Sequence, residues 1–149
     1  METEFVFEIA AEVDVPRDLG DMQVGRRRVV PILGGTVKGP DIRGTILPGG
    51  ADWQIIRSDG VMELEARYAF ETDDGARVHV RNWGIRSGPP DAIEAIMRGE
   101  QVDPALIYCR THPVFDTGAK RYAWLTQSMF AGEARREPDR AIIRIFRLL

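Results

Sequence analysis

From residue 3 to residue 13 the side chains alternate: Phe5, Phe7, Ile9, Ala11 and Val13 fall on one face, and Glu4, Glu8 and Glu12 on the other. A period of two is that of a strand with one dry side and one wet side. It returns at 61–72, where Met62, Leu64, Ala66, Tyr68 and Phe70 oppose Glu63, Glu65 and Arg67. Further extended runs are expected near 26–38 (weakened or bent at Pro31, which cannot donate to a ladder), 52–57, 76–86, 107–115, 122–135 and 141–148. Residues 16–21 carry turn chemistry, as do Ser58-Asp59-Gly60 and Asp73-Asp74-Gly75, an Asp-Gly hairpin signal. The eight glycines and prolines between Gly34 and Gly50 suggest bends or close backbone approach between short strands. Only 89–98 reads as a helix: it opens with Pro89-Pro90, carries Asp91 and Glu94 early, places Ile93, Ile96 and Met97 on one stripe and stops at Gly99.

Nine or ten strands joined by short turns, with one short helix, predict an all-β fold: a single antiparallel up-and-down barrel, because closure removes the exposed edges of a long meander. A two-sheet sandwich is the alternative. At 149 residues the chain has the length of one domain, 1–149, with enough mass to bury a core unaided. The net charge of −3 and short, acid-flanked basic runs argue against nucleic acid as a partner. No apolar run approaches the roughly 20 residues of a membrane helix. One cysteine, Cys109, forbids an internal disulfide and suits a reducing compartment, so a cytoplasmic location is expected.

Most of the chain carries a spaced set of segments: GGTVKGPDIRGTILPGGADWQ at 34–54, DDGARVHVRNWG at 73–84, GEQVDPALIYCRTHPVFDTG at 99–118 and RYAWLTQSMFAG at 121–132. In these the sequence resembles a bacterial and fungal family of small proteins catalogued as a domain of unknown function, marked by GPDIRGTILPGGADW at 39–53. The resemblance implies a calycin-like barrel, usually a homo-oligomer, with a dimer favoured. Asp116, Thr126 and Cys109 depart from the residues expected there, a glutamate, an asparagine and an aromatic; a pocket-facing Thr126 would alter ligand preference.

Standard catalytic signatures are missing. GGTVKG and PGGAD lack the phosphate-loop lysine and a following helix. Two histidines, His79 and His112, and one cysteine form no familiar ligand pair, so neither metal nor cofactor is expected. Polar and aromatic residues do recur at period two: Asp52 and Gln54; His79, Arg81 and Trp83; Tyr108, Arg110 and His112; Tyr122, Trp124, Thr126 and Ser128. Facing inward, they would line a small-ligand cavity. Asp52 would shuttle a proton and Tyr122 or Tyr108 would donate to a developing oxyanion. Arg81 and Arg110 would hold a carboxylate or enolate, with Gln54, His79, Trp124 and Thr126 as further contacts.

Each residue has a plainer reading: Asp52 closing the turn after Gly49-Gly50, the arginines in ion pairs, the tryptophans in a core or interface, His79 on the surface. A register error of one residue would also exchange inside for outside. The functional expectation is a small-molecule-binding barrel performing cofactor-free acid–base chemistry on a small aromatic or polyketide-like acid: isomerisation, cyclisation or elimination. A non-catalytic carrier or sensor, and a structural oligomer with a filled barrel, are the alternatives.

Overall fold

The computed structural model describes residues 1–149. Ten strands form one antiparallel sheet: β1 (Thr3–Val13), β2 (Arg17–Met22), β3 (Gly25–Lys38), β4 (Arg43–Ile46), β5 (Gly50–Ile56), β6 (Met62–Thr72), β7 (Arg77–Ser87), β8 (Tyr108–Asp116), β9 (Phe130–Arg136) and β10 (Arg140–Leu148). The helix α1 (Pro90–Met97) lies between β7 and β8. Pairing of β1 with both β10 and β3 closes the sheet into a barrel of eight strand positions, with two extra strands sharing positions. β4 and β5 both lie between β3 and β6, each against one half of those longer strands. β1 and β2 likewise share the other side of β3.

Pro31 fits this arrangement without ending its strand. Its carbonyl accepts from Asp14 N–H at 3.0 Å. A strand residue turns its N–H and C=O to the same side, so the missing donor falls in the break between β1 and β2, where no ladder bond is lost.

Two stretches differ from the sequence expectation. Residues 16–21, read as turn, fall largely within β2, whose register shifts between Asp18 and Gly20, the latter at φ +81°. Residues 122–128, read as strand, are irregular: Lys120–Leu125 form 3-10 turns and β9 begins only at Phe130. Thr117 Oγ1 accepts from Ala119 N–H at 3.2 Å, and the spacing of three between Tyr122 and Leu125 buries both. They close one end of the barrel.

That end is dry. Phe7, Phe70, Val78, Val80, Phe115, Phe130 and Ile145 fill it. Ring centroids lie 5.5 Å apart for Phe7–Phe115 and 5.3 Å for Phe115–Phe130, and Trp124 packs against Phe7 and Phe130. Such tilted and edge-on pairs add to the roughly 1.5–3 kcal/mol from burying each side chain. At the opposite end α1 lies across the mouth and buries Ile93 against Met62, Leu64 and Cys109. Several glycines of the 34–50 stretch are required for packing: a Cβ on Gly35, Gly44 or Gly50 would collide with the neighbouring strand's backbone. No helix is long and apolar enough to cross a membrane.

Candidate functional site

Beneath α1 the barrel interior turns polar. β3 brings in Arg28, β5 Asp52 and Gln54, β6 Tyr68, β7 Asn82 and Arg86, β8 Thr111 and β9 Arg136, all around one cavity of about 70 Å³. Every second residue of a strand faces in, so these positions continue the parity of the dry end: Val80 leads to Asn82 and Arg86, Ile32 to Arg28, Phe115 to Thr111, and Phe130 to Arg136. Small residues make the room. Ala66 separates Asp52 from Asn82 along one cross-strand row, and Gly84 and Gly132 flank Thr111 along the next.

A hydrogen-bonded chain organises one wall. Arg28 Nη1 donates to Met97 O at the end of α1 (3.1 Å), Arg28 Nε donates to Gln54 Oε1 (3.1 Å), and Gln54 Nε2 donates to Asp52 Oδ2 (2.8 Å). The other carboxylate oxygen, Asp52 Oδ1, is sealed from solvent and has no partner, although the residue as a whole is only half-buried. Tyr68 OH, Asn82 Oδ1 and Thr111 Oγ1 share that condition. These four are the only buried side-chain polar atoms in the chain without a partner, and all four residues line this cavity. Each such atom costs about 1–3 kcal/mol if nothing satisfies it.

The charge balance is equally one-sided. Of the four arginines that line the cavity, Arg135 pairs with Glu137 at 3.6 Å, whereas Arg28, Arg86 and Arg136 form no ion pair, unlike surface arginines such as Arg26, Arg57 and Arg121. Burial, then repulsion from Arg86 and Arg28, pulls Arg136 down to about 10. Burial, then Arg86 and Arg26, lowers Arg28. Burial pushes the Asp52 carboxyl up, opposed by the bond from Gln54 and the charges of Arg86 and Arg136. The Tyr68 phenol rises through burial and the nearby Asp52. The Cys109 thiol rises with burial too, against the pull of Arg86. No three His, Cys, Asp or Glu side chains gather as a metal site would require.

Of the residues singled out from the sequence, the structure brings Asp52 and Gln54 into the cavity. Tyr122 and Trp124 point inward at the opposite, dry end, and the inward orientation expected for the others is corrected. His79 and Arg81 are exposed on the outside of β7, with Trp83 beside them. Tyr108 and Arg110 are outside β8, stacked on each other, with Arg110 Nη1 donating to Cys109 O. The cause is the register: on both strands the opposite parity faces in. Tyr122 lies at the dry end, where its hydroxyl donates to Asp74 Oδ1 at 2.8 Å. Trp124 packs into the aromatic plug. Thr126 is exposed and donates to Ala123 O. Sequence reasoning missed Arg28, Tyr68, Asn82, Arg86, Thr111 and Arg136; carrying the parity of Val78 and Val80 along β7 would have found two of them.

The family model described as "Protein of unknown function (DUF3237)" matches residues 1–148. The chain belongs to the DUF3237 family. Among its DUF3237 relatives, a UPF0311 protein of Rhodopseudomonas palustris is 51% identical over 149 residues, spanning 100% of this chain and 97% of the relative. A solved R. palustris protein of unknown function superimposes with a TM-score of 0.97 at 51% identity, over 99% of this chain and 97% of that one. A "beta-barrel like protein" from Acinetobacter baumannii gives 0.86 at 33% identity, over 99% and 96%. A structure described as an enzyme from Penicillium herquei gives 0.69 at 20% identity, over 97% and 93%, and shares the fold.

Proposed function

We propose that this DUF3237 protein binds a small organic acid in the barrel cavity and moves a proton on it with its own side chains, in an isomerisation, cyclisation or elimination. The observation that carries the reading is a convergence: every partnerless buried polar atom of the chain, and three guanidiniums without a carboxylate partner, meet in one cavity. Unpaired buried cations are costly to keep, and an anion that accepts their N–H groups offsets that cost. Arg28, Arg86 and Arg136 hold the acid and stabilise an enolate-like intermediate as charge grows on oxygen.

Asp52 is the proton carrier. Gln54 holds Oδ2, which leaves Oδ1 to face the ligand. Burial brings the carboxyl closer to neutrality than a surface aspartate, and an acid or base works best with its pKa near the working pH. Tyr68, beside it, donates to the developing oxyanion. That a barrel of this fold is described as an enzyme in P. herquei is compatible with catalysis here. The carrier alternative uses the same cavity without turnover.

Calorimetric titration with small carboxylates, paired with deuterium uptake from D₂O into their C–H positions, tests the proposal. Arg86→Met is expected to weaken acid binding about tenfold or more, as loss of a desolvated charge contact does. Asp52→Asn should keep binding and lose exchange. The outward variants Arg81→Ala and Arg110→Met should change neither. Binding that ignores Arg86→Met yet falls in Arg81→Ala would move the site to the outer face, and exchange that survives Asp52→Asn would leave the carrier reading.

A further inference from the structure

The four partnerless atoms differ in what they ask of a ligand. Tyr68 OH and Thr111 Oγ1 donate or accept, a protonated Asp52 Oδ1 donates, and Asn82 Oδ1 only accepts. A bare carboxylate satisfies the guanidiniums and the hydroxyls but has no hydrogen for Asn82. A ligand that carries an O–H as well as a carboxylate satisfies all four.

Space decides where that O–H sits. Asp52 and Asn82 lie on one row with Ala66 between them, their backbones about 10 Å apart at two strand spacings. Both side chains line the cavity, which measures about 70 Å³. This is well below the roughly 300 Å³ at which pockets for drug-sized ligands begin. An anionic group and a hydroxyl that both fit there are separated by only a few atoms. Beyond the cavity, an outer hollow of about 430 Å³ shares Val13, Arg28 and Arg136 with it, so the two adjoin across these side chains. The outer cations Arg26 and Arg98 are already paired, with Asp18 and Glu100. The unspent positive charge is inside.

Resting on the acid-binding reading above, we infer that the ligand is a hydroxy acid whose hydroxyl lies within two carbons of its carboxylate, entering head first with the remainder of the molecule in the outer hollow. The carboxylate meets Arg86 and Arg136, and the hydroxyl donates to Asn82 Oδ1. Asn82 is therefore a specificity-determining residue, selecting for the hydroxyl rather than for the charge.

Calorimetry with 3-hydroxybutanoate, butanoate and 5-hydroxypentanoate on the full chain tests this. 3-Hydroxybutanoate is expected to bind about tenfold tighter than the other two, the effect of satisfying one buried acceptor. In Asn82→Ala the three should bind alike. Equal affinities in the wild type, with Arg86→Met weakening all three, would overturn the hydroxy-acid inference and leave acid binding standing. No binding of any of the three would overturn both. Because the wild-type series decides by itself, a variant that fails to fold does not rescue the idea.

Discussion

The two ends of the barrel use the same strands and opposite chemistry. At the plugged end, Phe7, Phe70, Phe115 and Phe130 interlock, and Trp124 seals them from below. At the mouth, β3, β5, β7 and β9 place Arg28, Asp52, Asn82, Arg86 and Arg136 inward, with Ala66 between Asp52 and Asn82 and with Gly84 and Gly132 packed against Thr111. One end accumulates packing and apolar burial. The other leaves polar atoms without partners and cations without counterions. Apolar packing and unpartnered polar groups are thus segregated along the barrel axis, and the proposed ligand site can carry unfavourable groups because the far end holds the fold together.

The largest expected break in this contrast is at the plug. Phe130→Ala should destabilise the chain by about 3–5 kcal/mol in urea unfolding, the usual result of a cavity left in a close-packed core. It should leave the chemistry of the mouth intact in whatever fraction stays folded. A loss below about 1 kcal/mol would mean that the plug is not the principal source of stability.

The mouth responds to pH instead. The folded-state Asp52 carboxyl lies above its ordinary value of 3.8, so the folded chain holds a proton that the unfolded chain has released. Its contribution is fully present below about 3.8 and is lost as pH rises through the folded-state value. At its steepest the loss is about 1.4 kcal/mol per pH unit. Asp18, Asp59, Asp74 and Glu137 are shifted the opposite way by their partners, so the measurement must be a difference. Wild type minus Asp52→Asn, followed by urea unfolding across pH 3 to 8, should show that fall; a flat difference would place Asp52 in contact with water.

The smallest expected effect sharpens the contrast most. Arg86→Met removes a buried guanidinium that has no ion pair and lies 4.0 Å from Met62 Sδ. Replacing such a charge by an apolar side chain of similar length should leave stability unchanged or raise it by about 1 kcal/mol, while weakening acid binding. A thermal melt that drops sharply would show Arg86 to be structural, and the mouth would then resemble the plug more than its opposite.

How much of this was legible follows the same axis. Where one face is apolar throughout, the strands announced themselves: from Phe7 to Ala11 and from Met62 to Phe70 the inward face follows from hydrophobicity alone, although Phe5, beyond a register shift in β1, lies exposed against Arg144. At the mouth both faces carry polar residues, so alternation has no sign. In β7 the outward His79, Arg81 and Trp83 look as functional as the inward Asn82 and Arg86. The information was present, but further down the strand, in Val78 and Val80. The 3-10 turns at Lys120–Leu125 were hidden for another reason: Tyr122 and Trp124 fit period two, Tyr122 and Leu125 fit a spacing of three, and contact with the plug decides between them.

Alternation, turn residues and close-approach glycines act between neighbours along the chain or across one pairing, so the all-β class and most of the strands, though not β2 or β4, could be read from residue order alone. That Arg28, Asp52, Tyr68, Asn82, Arg86, Thr111 and Arg136, drawn from six strands, share one cavity could be seen only in the folded barrel. Closure of the sheet sets which residues meet across the lumen, and that is a property of every register at once.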